Sequence, residues 1–320
     1  MLESQKYFLM VVDEMNITRA AEKAYISQQC MSNHIRRLEA LYNTRLFNRK
    51  PKLSLTPAGE RLTETLRQIN RLEENFEKEL HDVNGSVVNT IHLGITWSRA
   101  VILLPPVIAK FKEIYPNIDV NIHNNVTDNL EHRLVSGYLD LAISTGILNS
   151  PSLESHTLSE EDCFVVISDE LLARYFLEDT DAVKEQFKKG VYLSSFANVP
   201  FILNAEDERF AALAKELFRK EDIEPEVVFR SNSADIRSQL CGANMGASIF
   251  SELLLQYAIR QNRMQPPENK LNFFPLLGVE SDYKMIAFYS RDAYRPGYIN
   301  VLISLLEQQA QKFKYNTVSF

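Results

Sequence analysis

Gln28, Gln29, Ser32, Asn33 and Arg36 crowd into one short stretch, ISQQCMSNHIRRLE, from Ile26 to Glu39. A carboxamide can offer a donor and an acceptor together to adenine, a guanidinium can pair with O6 and N7 of guanine, and small hydroxyls suit phosphates or base edges. The chemistry on offer is recognition by hydrogen bonding. Met31, Ile35 and Leu38 recur among these residues at steps of four and three, so a helix would turn the apolar residues inward and the polar ones outward.

The preceding elements must position that helix. Phe8, Leu9, Val11, Val12 and Met15 form the apolar stripe of a first helix. Asn16 is a suitable N-cap for a second, where Ile17, Ala20, Ala21 and Ala24 recur on one face and the alanines permit a close helix crossing. Ser27 is the N-cap candidate of the third. This order predicts a helix-turn-helix whose last helix enters the major groove. A polar outer face alone is common on surface helices; the next segment adds to it. LFNRKPKLSLTPAG, Leu46 to Gly59, reads as strand, Pro-containing turn and strand, with Arg49, Lys50 and Lys52 grouped at the turn, a wing suited to phosphate contact. The expected base readers are Gln28, Gln29, Asn33 and Arg36, and the expected phosphate anchors are Thr18, Ser27, Ser32, Arg49, Lys50 and Lys52.

A net charge of −7 over 320 residues would argue against a nucleic-acid partner, but its distribution reverses that. Residues 1–59 hold nine Lys and Arg against five Asp and Glu, a charge of +4 that leaves −11 for the remainder. A basic module on an acidic body is the implied organisation. Cys30, Cys163 and Cys241 are odd in number and widely spaced, which argues against a disulfide framework and a structural zinc site. The longest apolar run, Ala100 to Val107, is broken by proline and falls far short of the roughly 20 residues a membrane span needs. The first residues lack the pattern of a cleavable leader, so a cytoplasmic protein is expected. His34, His81, His92, His123, His132 and His156 are scattered, and no nucleophile elbow, phosphate loop, dinucleotide fingerprint or metal-binding helix occurs. Neither an enzyme nor a cofactor or metal site is expected.

The segment from Asn16 to Gly59 resembles the winged helix-turn-helix of LysR-type transcriptional regulators. It carries the family's paired alanines (Ala20, Ala21), S-Q-x-x-x-S (Ser27, Gln28, Ser32), I-x-x-L-E (Ile35, Leu38, Glu39), L-F-x-R (Leu46, Phe47, Arg49) and L-T-x-A-G (Leu55, Thr56, Ala58, Gly59). Asn16 stands for the usual Ser, Gln29 for a proline or small residue, and Tyr42-Asn43 for Leu-Gly. Asn tolerates the left-handed C-cap conformation, so the turn should survive.

Thr56 and Pro57 make a good helix start, after which Leu62, Leu66, Ile69, Leu72, Phe76 and Leu80 form a narrow apolar seam ending at Asn84-Gly85. A second copy of the chain is the simplest partner for such a seam. The resemblance implies the same, a linker helix that pairs subunits as a dimer or tetramer and sets the spacing of two recognition helices on a dyad operator in double-stranded DNA.

From Asn89 strand and helix patterns alternate: TIHLGI, LLPPVIAKFKEIYP, IDVNIH, NLEHRLVSG and LDLAIS, then CFVVIS, a helix over 206–219, EVVF, a helix over 235–242 and GASIF, and last LNFFPLL, YKMIAFYS and a helix over 299–313. This predicts parallel sheets flanked by helices, divided between two α/β lobes. The resemblance implies that one lobe is inserted into the other, as in periplasmic solute-binding proteins. GYLDLAIS matches the family's crossover, and LCGANMGASIF matches a second segment more loosely, with Asn244 for a glycine and Ser251 for a proline.

The predicted architecture is multidomain: a winged helix-turn-helix at 1–59, a linker helix at 60–87 and a two-lobed α/β effector domain at 88–320. Lobe I takes 88–163 and 268–320, lobe II 164–267. Ligands of open α/β sheets bind beyond the carboxyl ends of the strands, where helix N-termini present free amides. Those positions hold Thr96, Trp97, Ser98, Asn125, Thr127, Thr145 and Gly146 in one lobe and Asn204, Ser231, Asn232 and Ser233 in the other, with Trp97 or Phe201 as an apolar wall. A small polar or anionic effector is the expected ligand, and a ligand-responsive regulator the expected function. The competing expectation is a cytosolic solute-binding or metabolic protein whose N-terminal helices only dimerise it.

Overall fold

Asn16 Oδ1 accepts from the backbone amides of Thr18 at 3.0 Å and Arg19 at 3.2 Å, which fixes the start of the second helix. In the computed structural model this N-terminal region contains α1 (Glu3–Glu14), α2 (Ile17–Lys23), α3 (Gln28–Leu41), the strands β1 (Phe47–Asn48) and β2 (Ser54–Leu55), and α4 (Pro57–Asn84). The structure describes residues 2–50, 52–84, 89–124, 127–146, 148, 150–176, 179–205, 209–264, 270–279 and 283–314. The chain divides into two compact units, Met1–Ser86 with Val135–Tyr138, and Val87–Leu134 with Leu139–Phe320.

In the first unit Phe8, Val11, Ala20, Ala21, Met31, Ile35, Leu38, Leu46, Phe47 and Leu66 form one core. The chain turns out of α1, α2 and α3 through Met15, Tyr25 and Asn43, all at positive φ. The two strands pair antiparallel, Phe47 opposite Leu55. Gly59 is required where α4 begins, because a Cβ there would lie 2.1 Å from the Leu46 carbonyl oxygen. Helix α4 runs on from Pro57, and its early turns belong to the head: Leu66 is 1% exposed and Leu62 packs beside it.

The second unit continues with β3 (Asn89–Ile95), α5 (Trp97–Ile114), β4 (Ile118–Asn124), α6 (Thr127–Val135), β5 (Leu141–Thr145) and β6 (Leu153–Glu160). It goes on through β7 (Cys163–Ser168), α7 (Asp169–Tyr175), α8 (Thr180–Phe187), β8 (Phe201–Leu203), α9 (Arg209–Lys220), β9 (Val227–Arg230), α10 (Ala234–Gly242), β10 (Ser248–Ser251) and α11 (Leu255–Met264). It closes with β11 (Leu271–Pro275), β12 (Lys284–Ser290) and α12 (Gly297–Ala310).

Lobe I is built on a sheet of order β4-β3-β5-β12-β6. Only β4, β3 and β5 are parallel; β12 runs antiparallel to both β5 and β6, which corrects the expectation of a parallel sheet. Helices α5 and α12 cover one face and share its core with Ile91, Leu93 and Ile143. Lobe II holds β7 between β10 and β11, both antiparallel to it, and the parallel pair β8-β9. Strand β11 thus belongs to lobe II, not to lobe I as its sequence position suggested, because Leu271–Pro275 spends its backbone hydrogen bonds on Phe164–Ser168. The chain passes between lobes after β6 and again before β12.

Candidate nucleic-acid interface and ligand cleft

Helix α3 has the two-sided character its spacing implies. Met31, Ile35 and Leu38 are 0%, 1% and 2% exposed, whereas Gln28, Gln29, Asn33 and Arg36 are exposed and Ser32 is half-buried. Ser27 caps the helix, its hydroxyl oxygen accepting from the Cys30 amide at 3.1 Å. Arg36 Nη1 donates to Asn33 Oδ1 at 3.2 Å, so two of the expected base readers steady each other. His34, on the inward side, places Nδ1 2.8 Å from Ser4 Oγ and sets its ring edge against Tyr7, which ties α3 to α1.

Arg49, Lys50, Lys52 and Thr18 are exposed. Glu39, near the end of α3, accepts from the amides of Leu46 at 3.0 Å and Phe47 at 3.5 Å, and its other oxygen lies 3.5 Å from Arg49 Nη2. One carboxylate therefore docks the wing on α3. The exposed guanidinium of Arg45, at the junction of the two, is a candidate that sequence reasoning missed. Its signal was available: it lies two residues before Phe47 in the same basic stretch.

Along α4, Ile69, Leu72 and Phe76 are exposed at 37%, 66% and 59%. Leu62 and Leu66, expected on the dimer seam, are instead committed to the head's own core. The exposed apolar part of the stripe starts at Ile69. The side chain of Leu80 lies outside the described residues.

In the second unit a small cavity of about 40 Å³ lies between the lobes. Thr96, Ser98, Thr145, Asn204 and Asn232 line it, as the strand-end rule led one to expect, together with Arg99, Ser144, Phe210, Arg237, Leu254 and Tyr283, which that rule did not select. Thr96 and Ser98 come from the start of α5; Arg237 comes from the first turns of α10. The two arginines are 5% and 1% exposed. Arg99 Nη2 lies 3.2 Å from Glu161 Oε2, while Arg237 donates to Asn204 Oδ1 and to the Ile249 carbonyl at 3.3 Å and stands over the Phe250 ring. Tyr283 donates its hydroxyl to Thr145 Oγ1 at 2.9 Å, and burial raises its pKa well above the ordinary phenol value, so it stays protonated. Ser98 bridges the lobes twice: its Oγ accepts from the Ala234 amide at 3.2 Å and its carbonyl from Tyr257 Oη at 3.0 Å.

Several expected ligand contacts lie elsewhere. Phe201 is 0% exposed in the lobe II core, because its strand is covered on that side by Phe218, and it cannot form a cleft wall. Trp97 is 63% exposed and does not line the cavity. Gly146 makes a turn at φ +91°, its amide bonded to the Lys284 carbonyl at 3.0 Å. Ser231 accepts from the Ser233 amide at 3.2 Å, and Ser233 caps α10. Asn125 lies outside the described residues, as does the side chain of Thr127. Among the described residues no group of three or more His, Cys, Asp or Glu is placed to hold a metal, and no helix is long and apolar enough to cross a membrane.

Residues 2–60 match the family model described as a bacterial regulatory helix-turn-helix protein, lysR family, and residues 84–311 match the LysR substrate binding domain. Among curated relatives, the HTH-type transcriptional regulator CysL of Bacillus subtilis is 24% identical, with 78% of this chain and 80% of that protein aligned. CysB of Haemophilus influenzae is 25% identical over 78% of this chain and 74% of its own length. Among solved structures, a full-length OxyR variant from Pseudomonas aeruginosa superposes with a TM-score of 0.71 at 18% identity, covering 95% of this chain and 93% of that one. CbnR, solved in complex with its target DNA, gives 0.62 at 19% identity over 96% and 98%. At these identities the structural likenesses establish the fold alone.

Proposed function

The chain belongs to the LysR family of bacterial transcriptional regulators, with a DNA-binding helix-turn-helix and a substrate-binding domain, and from that premise we propose which of its residues read DNA and what kind of effector it answers to. Gln28, Gln29, Asn33 and Arg36 contact base edges; Thr18, Ser27, Ser32, Arg49, Lys50 and Lys52 hold phosphates. Two heads, paired through the α4 seam from Ile69 onward as a dimer or pair of dimers, meet the halves of a dyad operator. The protein works in the cytoplasm, where its DNA is. The observation that carries this reading is the exposed amide and guanidinium face of α3 set over the buried Met31, Ile35 and Leu38.

The effector is small and anionic. Two nearly buried guanidiniums, a hydroxyl cluster and the first turn of α5 border the cleft, and such a helix start favours negative charge. Its binding shifts subunit packing only in so far as it favours one arrangement of the lobes over another. Mass spectrometry of small molecules that copurify with the protein would identify it; recovery of cations or neutral lipids only would reject the anionic assignment.

The DNA-reading assignment is tested by gel-shift titration of the DNA flanking the gene, at two salt concentrations. Arg36→Ala should cost about 1 to 3 kcal/mol on the selected site and blur preference at one base pair. Equal losses on the selected site and on mixed-sequence duplex would reject base reading by Arg36, and absence of salt-dependent, sequence-selective retardation of the wild-type chain would reject the reading as a whole.

A further inference from the structure

Between the last turns of α3 and the wing lies an open groove of about 320 Å³, bordered by Arg36, Glu39, Arg45, Phe47 and Arg49. Three guanidiniums face one carboxylate there. They are not equivalent. Arg36 is tied to Asn33, and Arg49 is partly neutralised by Glu39. Arg45, exposed, has no ion-pair partner among the described residues.

The backbone that carries Arg45 is fixed on both sides. The Thr44 amide donates to the Glu39 carbonyl at 3.0 Å, the Leu46 amide donates to Glu39 Oε1 at 3.0 Å, and the Arg45 carbonyl accepts from Thr56 Oγ1 at 2.7 Å. A free cation on a pinned backbone beside the base-reading face has two properties of a backbone anchor: charge not already spent within the fold, and a fixed point of attachment for the side chain. Glu39, already bonded to Arg49 and to the Leu46 amide, repels an anion beside it, which favours Arg45 as the position for the ligand.

We propose that this groove is a seat for a single backbone phosphodiester of the bound duplex, held by Arg45 and flanked by Arg36 and Arg49. The proposal rests on the reading of α3 as the recognition helix. It adds Arg45 as an anchor at the junction of helix and wing, which fixes the register of the head on the duplex without reading sequence.

The test uses the full chain and two duplexes of equal length, one selected from a random-sequence pool by the wild-type protein and one of mixed sequence. Binding of wild type, Arg45→Ala and Arg45→Lys is measured over a series of chloride concentrations, with thermal melts to verify folding. Arg45→Ala should weaken both duplexes by the same factor and make the plot of log affinity against log salt shallower by about one. Arg45→Lys should restore the wild-type slope. A loss confined to the selected duplex makes Arg45 a base reader and overturns the proposal, as does an unchanged slope. A further arm replaces chloride by inorganic phosphate at matched ionic strength: phosphate should displace DNA from wild type more strongly than from Arg45→Ala, and equal displacement from both would overturn the proposal. Failure of the wild-type chain to select any duplex would instead sink the reading of α3.

Discussion

Arg99 Nη2 and Glu161 Oε2 lie 3.2 Å apart with side chains only 6% and 2% exposed, one on the helix that opens lobe I and the other where the chain first leaves that lobe. Glu161 also accepts from the Leu253 amide at 3.3 Å, on the segment that follows β10. One carboxylate therefore gathers three stretches distant in sequence around the floor of the cleft.

Replacing Arg99 by Leu leaves Glu161 with a single amide donor and a buried charge. Breaking a buried pair from one side costs about 3 to 5 kcal/mol, so urea unfolding of Arg99→Leu should show a loss of that order. A smaller loss is expected for Glu161→Gln, which keeps an acceptor for Leu253 and leaves Arg99 bordering the open cavity. Equal stability of Arg99→Leu and wild type would mean that the pair contributes nothing.

The two ends of the α4 stripe should respond differently to substitution. Phe76→Glu, at an exposed position, should lower the oligomeric state in sedimentation at a given concentration while the head melts as before. Leu66→Ala should leave assembly intact and destabilise the head by about 2 to 5 kcal/mol, the usual cost of emptying a core leucine site. Reversed outcomes would place the subunit contact on the first turns of α4.

On the other face of the lobe I sheet, His92 Nδ1 and His123 Nε2 are 3.0 Å apart. Desolvation, then the neighbouring His92 and Arg133, lower the His123 pKa below its ordinary 6.5, against a smaller opposing pull from Asp140. The unfolded chain therefore binds more protons than the folded one below that value, and stability rises with pH through this window. Thermal midpoints of wild type should fall between pH 7.5 and pH 5.5 by more than those of His123→Asn. An NMR titration midpoint for His123 above 6.5 would contradict the sign.

The head was legible because a helix with one apolar and one polar face writes both into its spacing: Met31, Ile35 and Leu38 alternate with Gln28, Asn33 and Arg36. Caps are equally local, so Asn16 and Ser27 could be read without knowing the fold. The cleft was legible only in its hydroxyls and amides at strand ends. Arg99 and Arg237 look like surface residues of amphipathic helices, and what buries them, Glu161 and Asn204, lies 62 and 33 residues away. Strand β6 escaped notice because LESHTLSE sits at the edge of its sheet with most side chains exposed. The direction of β12 was equally hidden, since a period of two is the same for a parallel and an antiparallel neighbour.

Leu66 sits inside the head and Arg67 Nη2 is bonded to Asp13 Oδ1 at 2.9 Å. The first turns of α4 thus cannot swivel against α1 without unpacking the hydrophobic interior, and the head with its stem moves as one stiff crank. On the proposed reading, any pivot by which effector occupancy would change the angle or separation of two operator-bound heads has to lie farther along the chain than Arg67. Engineering that alters the length or pliancy of α4 beyond that residue should retune the response without altering which bases are read.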